Sequence, residues 1–271
     1  TYLSDAQISS LSTTNLKTLT TDQFKALTTS QVNSLIANHL ASLESSNLAV
    51  LSSNQIKAIP LAGIAALTTQ VIVSLTSEQF AFLSVTQVAS LTTTQLAVLE
   101  SQDLKALTTL QITALTKPQL NSLSSIQMSD LMTNQVRALT LLQISTLSTV
   151  NLNALTTSQF QQLTTDQIKT LSTQQIVSLE TSDLASLTTN QIFSITPKNI
   201  SLLSTQEIIA LKTDQVRALS ETQIKALTSL QLASLEVDDI QALSSTQLQN
   251  LNVLQLNSLS TSQMSSLLTT Q

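Results

Sequence analysis

A leucine that returns in every octad constrains this chain more than any other feature. It recurs without insertion or deletion from Leu3 to Leu267, which makes 34 octads. With the leucine as position one, position six is always Ile, Leu, Val, Phe or Met, and position five is Gln in 23 of 34 octads. Such a pattern is typical of a repeat array, in which each unit buries its apolar side chains against its neighbours.

The residue types within the octad follow the order expected for an N-terminal cap and a short helix. A continuous helix cannot use this pattern, because eight residues overshoot two helical turns by about 80°. Thr20 and Gln23 fit the N-cap and N3 positions of a capping box, and Leu19 and Phe24 fit the hydrophobic staple. We therefore predict one helix of six or seven residues per octad, beginning after position two. We expect the glutamines of position five to bond their own N-cap N–H groups and to form a polar ladder with each other.

The charges and prolines support this register. Of the 16 acidic residues, 15 lie at positions two to five, and eight of the 11 basic residues lie at position seven. A helix dipole favours this distribution. Pro60, Pro197 and Pro118 fall at N-cap, N1 and N2, where no intrahelical hydrogen bond is lost. The predicted fold class is an all-α repeat solenoid, with positions one and six in the core and position seven exposed.

A β-solenoid with one strand and turn per octad is the alternative. The content of Thr, Val and Ile favours it. The chain, however, has a single glycine, Gly63, and no Asn-Gly or Asp-Gly turn. A β-coil also gives no reason for charges to separate by sign within the octad.

A longer period overlies the octad. Ile59 and Ile195, the two exceptions to leucine at position one, lie 17 octads apart. We predict one continuous solenoid over residues 1–271 with an internal duplication, 1–135 and 136–271. The number of octads per turn stays open. Because the sequence begins at position seven and stops at position five, we expect it to be part of a longer chain.

Composition excludes several classes of protein. The net charge is −5 and only 2% of residues are aromatic, which argues against nucleic-acid binding. The chain has no cysteine, so disulfides and thiolate metal sites are excluded. No apolar run approaches the roughly 18 residues that a transmembrane helix needs. We expect no nucleic-acid partner and no transmembrane segment.

Few residues are candidates for chemistry. The single histidine, His39, stands at position five, where a capping role in place of Gln explains it best. Glu236, Asp238 and Asp239 form the densest acidic cluster; helix capping explains it better than a weak Ca²⁺ site. We expect no catalytic residue, no metal, no cofactor and no enzymatic activity.

Position four carries a candidate contact surface. This position is normally polar, but it is apolar at Leu110, Ile126, Leu142 and Val150. The first three of these residues lie in every second octad. Drift in a tolerant array explains single exposed apolar residues. The alternative is a strip for lateral contact with another chain.

The octads also resemble a known kind of array. Segments 27–32 and 163–168 have the sequences LTTSQV and LTTDQI. They resemble the Thr/Gln-rich octad arrays of very large bacterial surface and adhesin-type proteins, and the resemblance covers the whole chain. It implies secretion and a role as a stalk, fibre or adhesin, and it carries no functional residue across.

Together these features predict a non-enzymatic segment of an extracellular fibre, sheath or adhesin stalk. The expected location is extracellular or at the cell surface, and the expected partner is a further copy of the chain. Contact with a cell surface or substratum would come through regions outside this sequence. The alternatives are a protein- or peptide-binding solenoid and, third, an ice- or carbohydrate-binding array of threonines.

Overall fold

A computed structural model describes residues 3–269, and in that range the chain forms 33 α-helices and no β-strand. The predicted all-α repeat solenoid is confirmed, and the β-solenoid alternative is wrong. The chain divides into two compact units, the first ending at Leu139 and the second beginning at Thr140. Of the helices in the described range, none is long and apolar enough to cross a bilayer.

Each of the 33 complete octads from Leu3 to Ser266 contributes one helix. The first unit contains α1 (Asp5–Ser9), α2 (Thr13–Lys17), α3 (Thr21–Lys25), α4 (Thr29–Asn33), α5 (Ala37–Ala41), α6 (Ser45–Ala49), α7 (Ser53–Ala58), α8 (Leu61–Ala66), α9 (Thr69–Ile72), α10 (Ser77–Phe82), α11 (Val85–Ser90), α12 (Thr93–Ala97), α13 (Ser101–Ala106), α14 (Thr109–Ala114), α15 (Lys117–Asn121), α16 (Ser125–Asp130) and α17 (Thr133–Ala138). The second contains α18 (Leu141–Thr146), α19 (Thr149–Asn153), α20 (Thr157–Gln162), α21 (Thr165–Lys169), α22 (Thr173–Ile176), α23 (Thr181–Ser186), α24 (Thr189–Ser194), α25 (Pro197–Ile200), α26 (Thr205–Ile209), α27 (Thr213–Arg217), α28 (Glu221–Ala226), α29 (Ser229–Ser234), α30 (Val237–Ala242), α31 (Ser245–Gln249), α32 (Val253–Ser258) and α33 (Thr261–Ser265).

The helices begin where the capping box predicts. In α3 the Thr20 hydroxyl accepts the Gln23 N–H at 3.2 Å, and the Gln23 side-chain oxygen accepts the Thr20 N–H at 2.8 Å. These reciprocal bonds satisfy two of the N–H groups that a helix start leaves free. Pro60 is an N-cap residue, and Pro197 is the first residue of its helix, as predicted.

Of the 33 helices in the described range, 16 have six residues, within the predicted six or seven, and 17 are shorter, at four or five. None extends beyond position eight, because position one leaves the helical conformation. Leu107 has φ −61° and ψ 132°, and the N-cap Thr108 has φ −68° and ψ 160°. Two successive extended residues therefore form the corner between one helix and the next. No residue in the range 3–269 has a positive φ. The corner needs no glycine, which explains how a chain with one glycine turns so often.

One turn of the solenoid holds three octads, a number that the sequence left open. Within each unit a helix packs against the helix three further along, as α10 does with α13 and α27 with α30. The helices of successive turns therefore form three rows. Such short helices are not stable alone, so the packing between turns must hold them.

The core consists of positions one and six, as predicted. Ile168 is 1% exposed and Leu171 is 3% exposed, whereas the neighbouring Lys169 at position seven is exposed. The same pattern runs through both units except near the ends of the described range, where Leu3 at position one and Leu256 and Met264 at position six are exposed. Full burial of one Leu or Ile side chain stabilises the folded state by about 1.5–3 kcal/mol. Positions one and six supply these side chains.

Candidate functional site

The side chain at position five joins successive turns. Gln135 is fully buried, and its oxygen accepts the N–H of Met132, the N-cap residue of α17, at 2.8 Å. Its amide nitrogen donates to the carbonyl oxygens of Leu107 at 2.7 Å and Leu104 at 2.8 Å, in the preceding turn. One amide thus caps the start of its own helix and satisfies carbonyl groups at the end of an earlier one.

This two-armed hydrogen bonding recurs through the array. The bond to the carbonyl oxygen 28 residues earlier is made by Gln31, Gln55, Gln79, Gln87, Gln95, Gln111, Gln119, Gln127 and Gln135 in the first unit and by Gln175, Gln191, Gln215, Gln223, Gln231, Gln247, Gln255 and Gln263 in the second. The first arm, to the N-cap, was predicted from the capping box. The second arm was expected to reach another glutamine, and it reaches backbone carbonyl groups instead.

His39 reproduces both arms with an imidazole ring. Its Nδ1 lies 3.4 Å from the Ile36 nitrogen, and its Nε2 lies 2.8 Å from the Leu11 oxygen, 28 residues earlier. Because Nδ1 faces an N–H donor, Nε2 must carry the hydrogen that is donated to Leu11. The histidine is buried and takes the place of glutamine, as the sequence predicted.

Acidic residues at position five lack a donor for the second arm. Burial raises the pKa of Asp103, although Ser77 donates a hydrogen bond of 2.8 Å to its carboxylate. Asp239 accepts the N–H of Glu236 at 3.3 Å, which is the helix-cap role predicted for the cluster around it. No group of three or more His, Cys, Asp or Glu residues in the described range could hold a metal ion.

Gly63 occupies position five in α8, and a neighbouring side chain fills the space that glutamine takes elsewhere. A Cβ atom on Gly63 would lie 2.0 Å from Cδ1 of Leu40, a fully buried residue of α5. The absent side chain therefore lets α8 pack closely on α5.

We expect glutamine, the usual residue at position five, to destabilise the protein at residue 63. Gly63→Gln should destabilise the first unit by about 1–3 kcal/mol, because Leu40 must leave its place in a packed core. Chemical denaturation with helical circular dichroism as the signal measures this. Val71→Gln, at the same position of α9, is the control and should cost less; equal losses would show that Leu40 is not the obstacle.

The four candidate contact residues are all strongly exposed, between 66% and 72%. Leu110 lies on α14, which packs against α11 and α17, whereas Ile126 lies on α16, which packs against α13. In the first unit the spacing of two octads thus places the two side chains on different rows of helices. In the second unit Leu142 lies on α18 and Val150 on α19. Their role in lateral contact stays a prediction.

The three-octad turn brings together a set of residues that the sequence did not single out. Helices α21, α24 and α27 pack in succession, and their position-seven residues are Lys169, Phe193 and Arg217. Phe193 is 61% exposed, whereas Phe24, Phe80 and Phe160 are buried. Two grooves, of about 590 and 490 Å³, flank it; Lys169 lines the first and Arg217 the second. We call these three residues the Phe193 row.

A signal for the Phe193 row was present in the sequence. Its members recur at every third octad, and Phe193 is the only aromatic residue at position seven. A spacing of three octads indicates a shared row of helices only once the number of octads per turn is known.

Comparison with known families identifies one match. The ALTTAQ repeat model matches more than half of the chain, in six segments: 3–36, 61–93, 96–133, 176–213, 203–237 and 232–269. No curated protein shows significant similarity to the chain.

Proposed function

Because the chain belongs to the ALTTAQ repeat family, we propose that it is a non-enzymatic structural repeat protein, a segment of an extracellular fibre, sheath or adhesin stalk. The two-armed hydrogen bonding of position five supports this proposal. It ties each turn to the preceding one through buried groups that water does not reach. A rod that carries load along its axis needs such links in every turn.

Surface exposure on cells tests the proposed location. Antibodies raised against residues 1–271 should label intact cells of the source organism as strongly as permeabilised ones, and external protease should remove the signal. A cytoplasmic protein labelled in parallel is the control for cell integrity. Labelling that requires permeabilisation would rule out the extracellular role.

Self-association is the second part of the proposal. We expect a variant in which Leu110, Ile126, Leu142 and Val150 are all replaced by aspartate to sediment as a monomer at concentrations where the unmodified chain forms larger species, because four exposed apolar contacts become charged. The matched control replaces polar residues of the first helical turn, Gln102→Glu and Asn134→Asp. If the unmodified chain is monomeric at every concentration, lateral contact through these residues is excluded.

The Phe193 row favours a second function, a protein- or peptide-binding solenoid. Exposed aromatic side chains and arginine are the residues that anchor partners at interfaces. Here an aromatic ring lies between two cations, and each adjacent groove also holds a carboxylate, Asp166 or Glu221. Such a face offers stacking, charge and hydroxyl contacts to an extended peptide.

Peptide selection tests this second function. Peptides from a displayed library that are retained by the unmodified chain should lose at least about tenfold in affinity on Phe193→Ala, since an anchoring aromatic contributes more than about 1.4 kcal/mol. Val177→Ala is the control, because Val177 is another exposed apolar residue at position seven. Selected peptides that bind Phe193→Ala unchanged would exclude the row as a binding face.

A further inference from the structure

Asp183 is a buried carboxyl group at the position where the repeat places glutamine. The residue is 4% exposed, and its Oδ2 atom is buried without a hydrogen-bond partner. Its helix, α23, has no capping box. A carboxylate oxygen has no hydrogen to donate, so an ionised Asp183 cannot make the inter-turn bond that the glutamine amide makes.

Asn199 shows what a side chain of the same length can reach. It also stands at position five, and its amide nitrogen donates to the Leu171 carbonyl oxygen, 28 residues earlier, at 3.2 Å. The residue at the same separation before Asp183 is Leu155. We infer that the unpartnered Oδ2 atom of Asp183 is the counterpart of the amide nitrogen of Asn199. A neutral carboxylic acid carries one hydrogen that it can donate.

We propose that Asp183 is a proton-binding site: its neutral form donates a hydrogen bond to the Leu155 carbonyl and links α23 to the preceding turn, and ionisation removes that link. The proton is the ligand that fits. A metal ion would need several ligands, and in residues 3–269 no cluster of three or more metal-binding side chains exists.

The charges around Asp183 favour the neutral form. Helix α23 packs against α20, which has no charged residue, and against α26, whose charged residue is Glu207. Glu207 also has a buried oxygen without a partner. No lysine, arginine or histidine lies on these three helices, and the N-cap residue of α23 is Glu180. Burial, and after it the negative charge of Glu180, raise the pKa of Asp183 to about 6.

The direction of the pH effect follows from the raised pKa. A carboxyl group with a higher pKa in the folded state takes up its proton on folding. Its contribution to stability is complete below its ordinary value of 3.8 and is lost as the pH rises through about 6. Helix α23 should therefore open more readily at neutral pH than in mild acid.

Hydrogen exchange on the full chain tests this, with Asp183→Asn as the reference variant, because asparagine keeps a donor at every pH. The readout is the opening equilibrium of the Leu184 and Leu187 amides, compared between the two proteins at each pH so that intrinsic exchange rates cancel. The ratio of opening constants, unmodified over variant, should lie near its minimum at about pH 4. It should rise about 10- to 100-fold by about pH 8, as a shift of about two pKa units allows.

The reverse substitution, of aspartate for asparagine, and a titration of the Asp183 carboxyl group complete the test. Asn199→Asp should give α25 the same pH dependence, whereas Asp166→Asn, at an exposed residue of α21, should leave the pH dependence of α23 unchanged. A ratio that stays flat across this range overturns the proposal, and so does a ¹³C titration in which the Asp183 carboxyl ionises near its ordinary value.

Discussion

Ile168→Asp is expected to unfold the helices around α21. The side chain is 1% exposed at position six, so the substitution places a carboxylate in the core that holds adjacent turns together. Burying an unpaired charge and losing an apolar side chain together cost about 4–5 kcal/mol or more. Because a repeat array can open locally, the loss should appear as fast hydrogen exchange in α21 and α24, which pack on each other.

The neighbouring residue supplies the control. Lys169→Ser changes an exposed side chain at position seven and should alter the free energy of unfolding by less than about 0.5 kcal/mol. Equal effects from the two substitutions would mean that the assignment of octad positions to core and surface is wrong.

Gln135→Met is expected to have the second-largest effect. Methionine has nearly the same length and leaves no cavity, but it has no strong donor or acceptor. The Met132 N–H and the Leu107 carbonyl oxygen would lose this partner, and the Leu104 carbonyl oxygen would keep only the N–H of Leu107, at 3.2 Å. Each unsatisfied buried group costs about 1–3 kcal/mol, so we expect a loss of about 3 kcal/mol or more, measured by chemical denaturation.

Gln23→Met measures the contribution of the bond to the N-cap by itself, so that the contribution of the inter-turn bonds can be distinguished from it. Gln23 is exposed and accepts the Thr20 N–H at the start of α3. Removing an exposed cap should cost about 0.5–1 kcal/mol. If Gln135→Met costs no more than Gln23→Met, the inter-turn bonds do not stabilise the solenoid.

The helix and core positions within one octad could be predicted from the sequence, whereas the number of octads per turn could not. Everything that concerns one helix start is local: Thr20 and Gln23 meet because they are three positions apart, and a capping box is recognisable from residue types alone. The core followed from the same register, since Leu19 and Phe24 flank the cap.

The closure of the turn could not be predicted, because it depends on the angle at each corner. That angle arises from the extended conformations of residues such as Leu107 and Thr108, which the residue types do not specify. The second arm of Gln135 and the Phe193 row both depend on the three-octad turn. They became visible only in the structure, as did the unpaired oxygen of Asp183.

The three-octad turn also determines which changes in length the array tolerates. Within a unit, deletion of three consecutive octads would remove one whole turn and leave every later helix in its own row. Deletion of a single octad would preserve the capping boxes and the core equally well. It would, however, move every later side chain by one third of a turn, and the Phe193 row would be divided between two faces. Unequal recombination within the tandem gene can therefore change the length of the solenoid without changing its surfaces only in whole multiples of three octads.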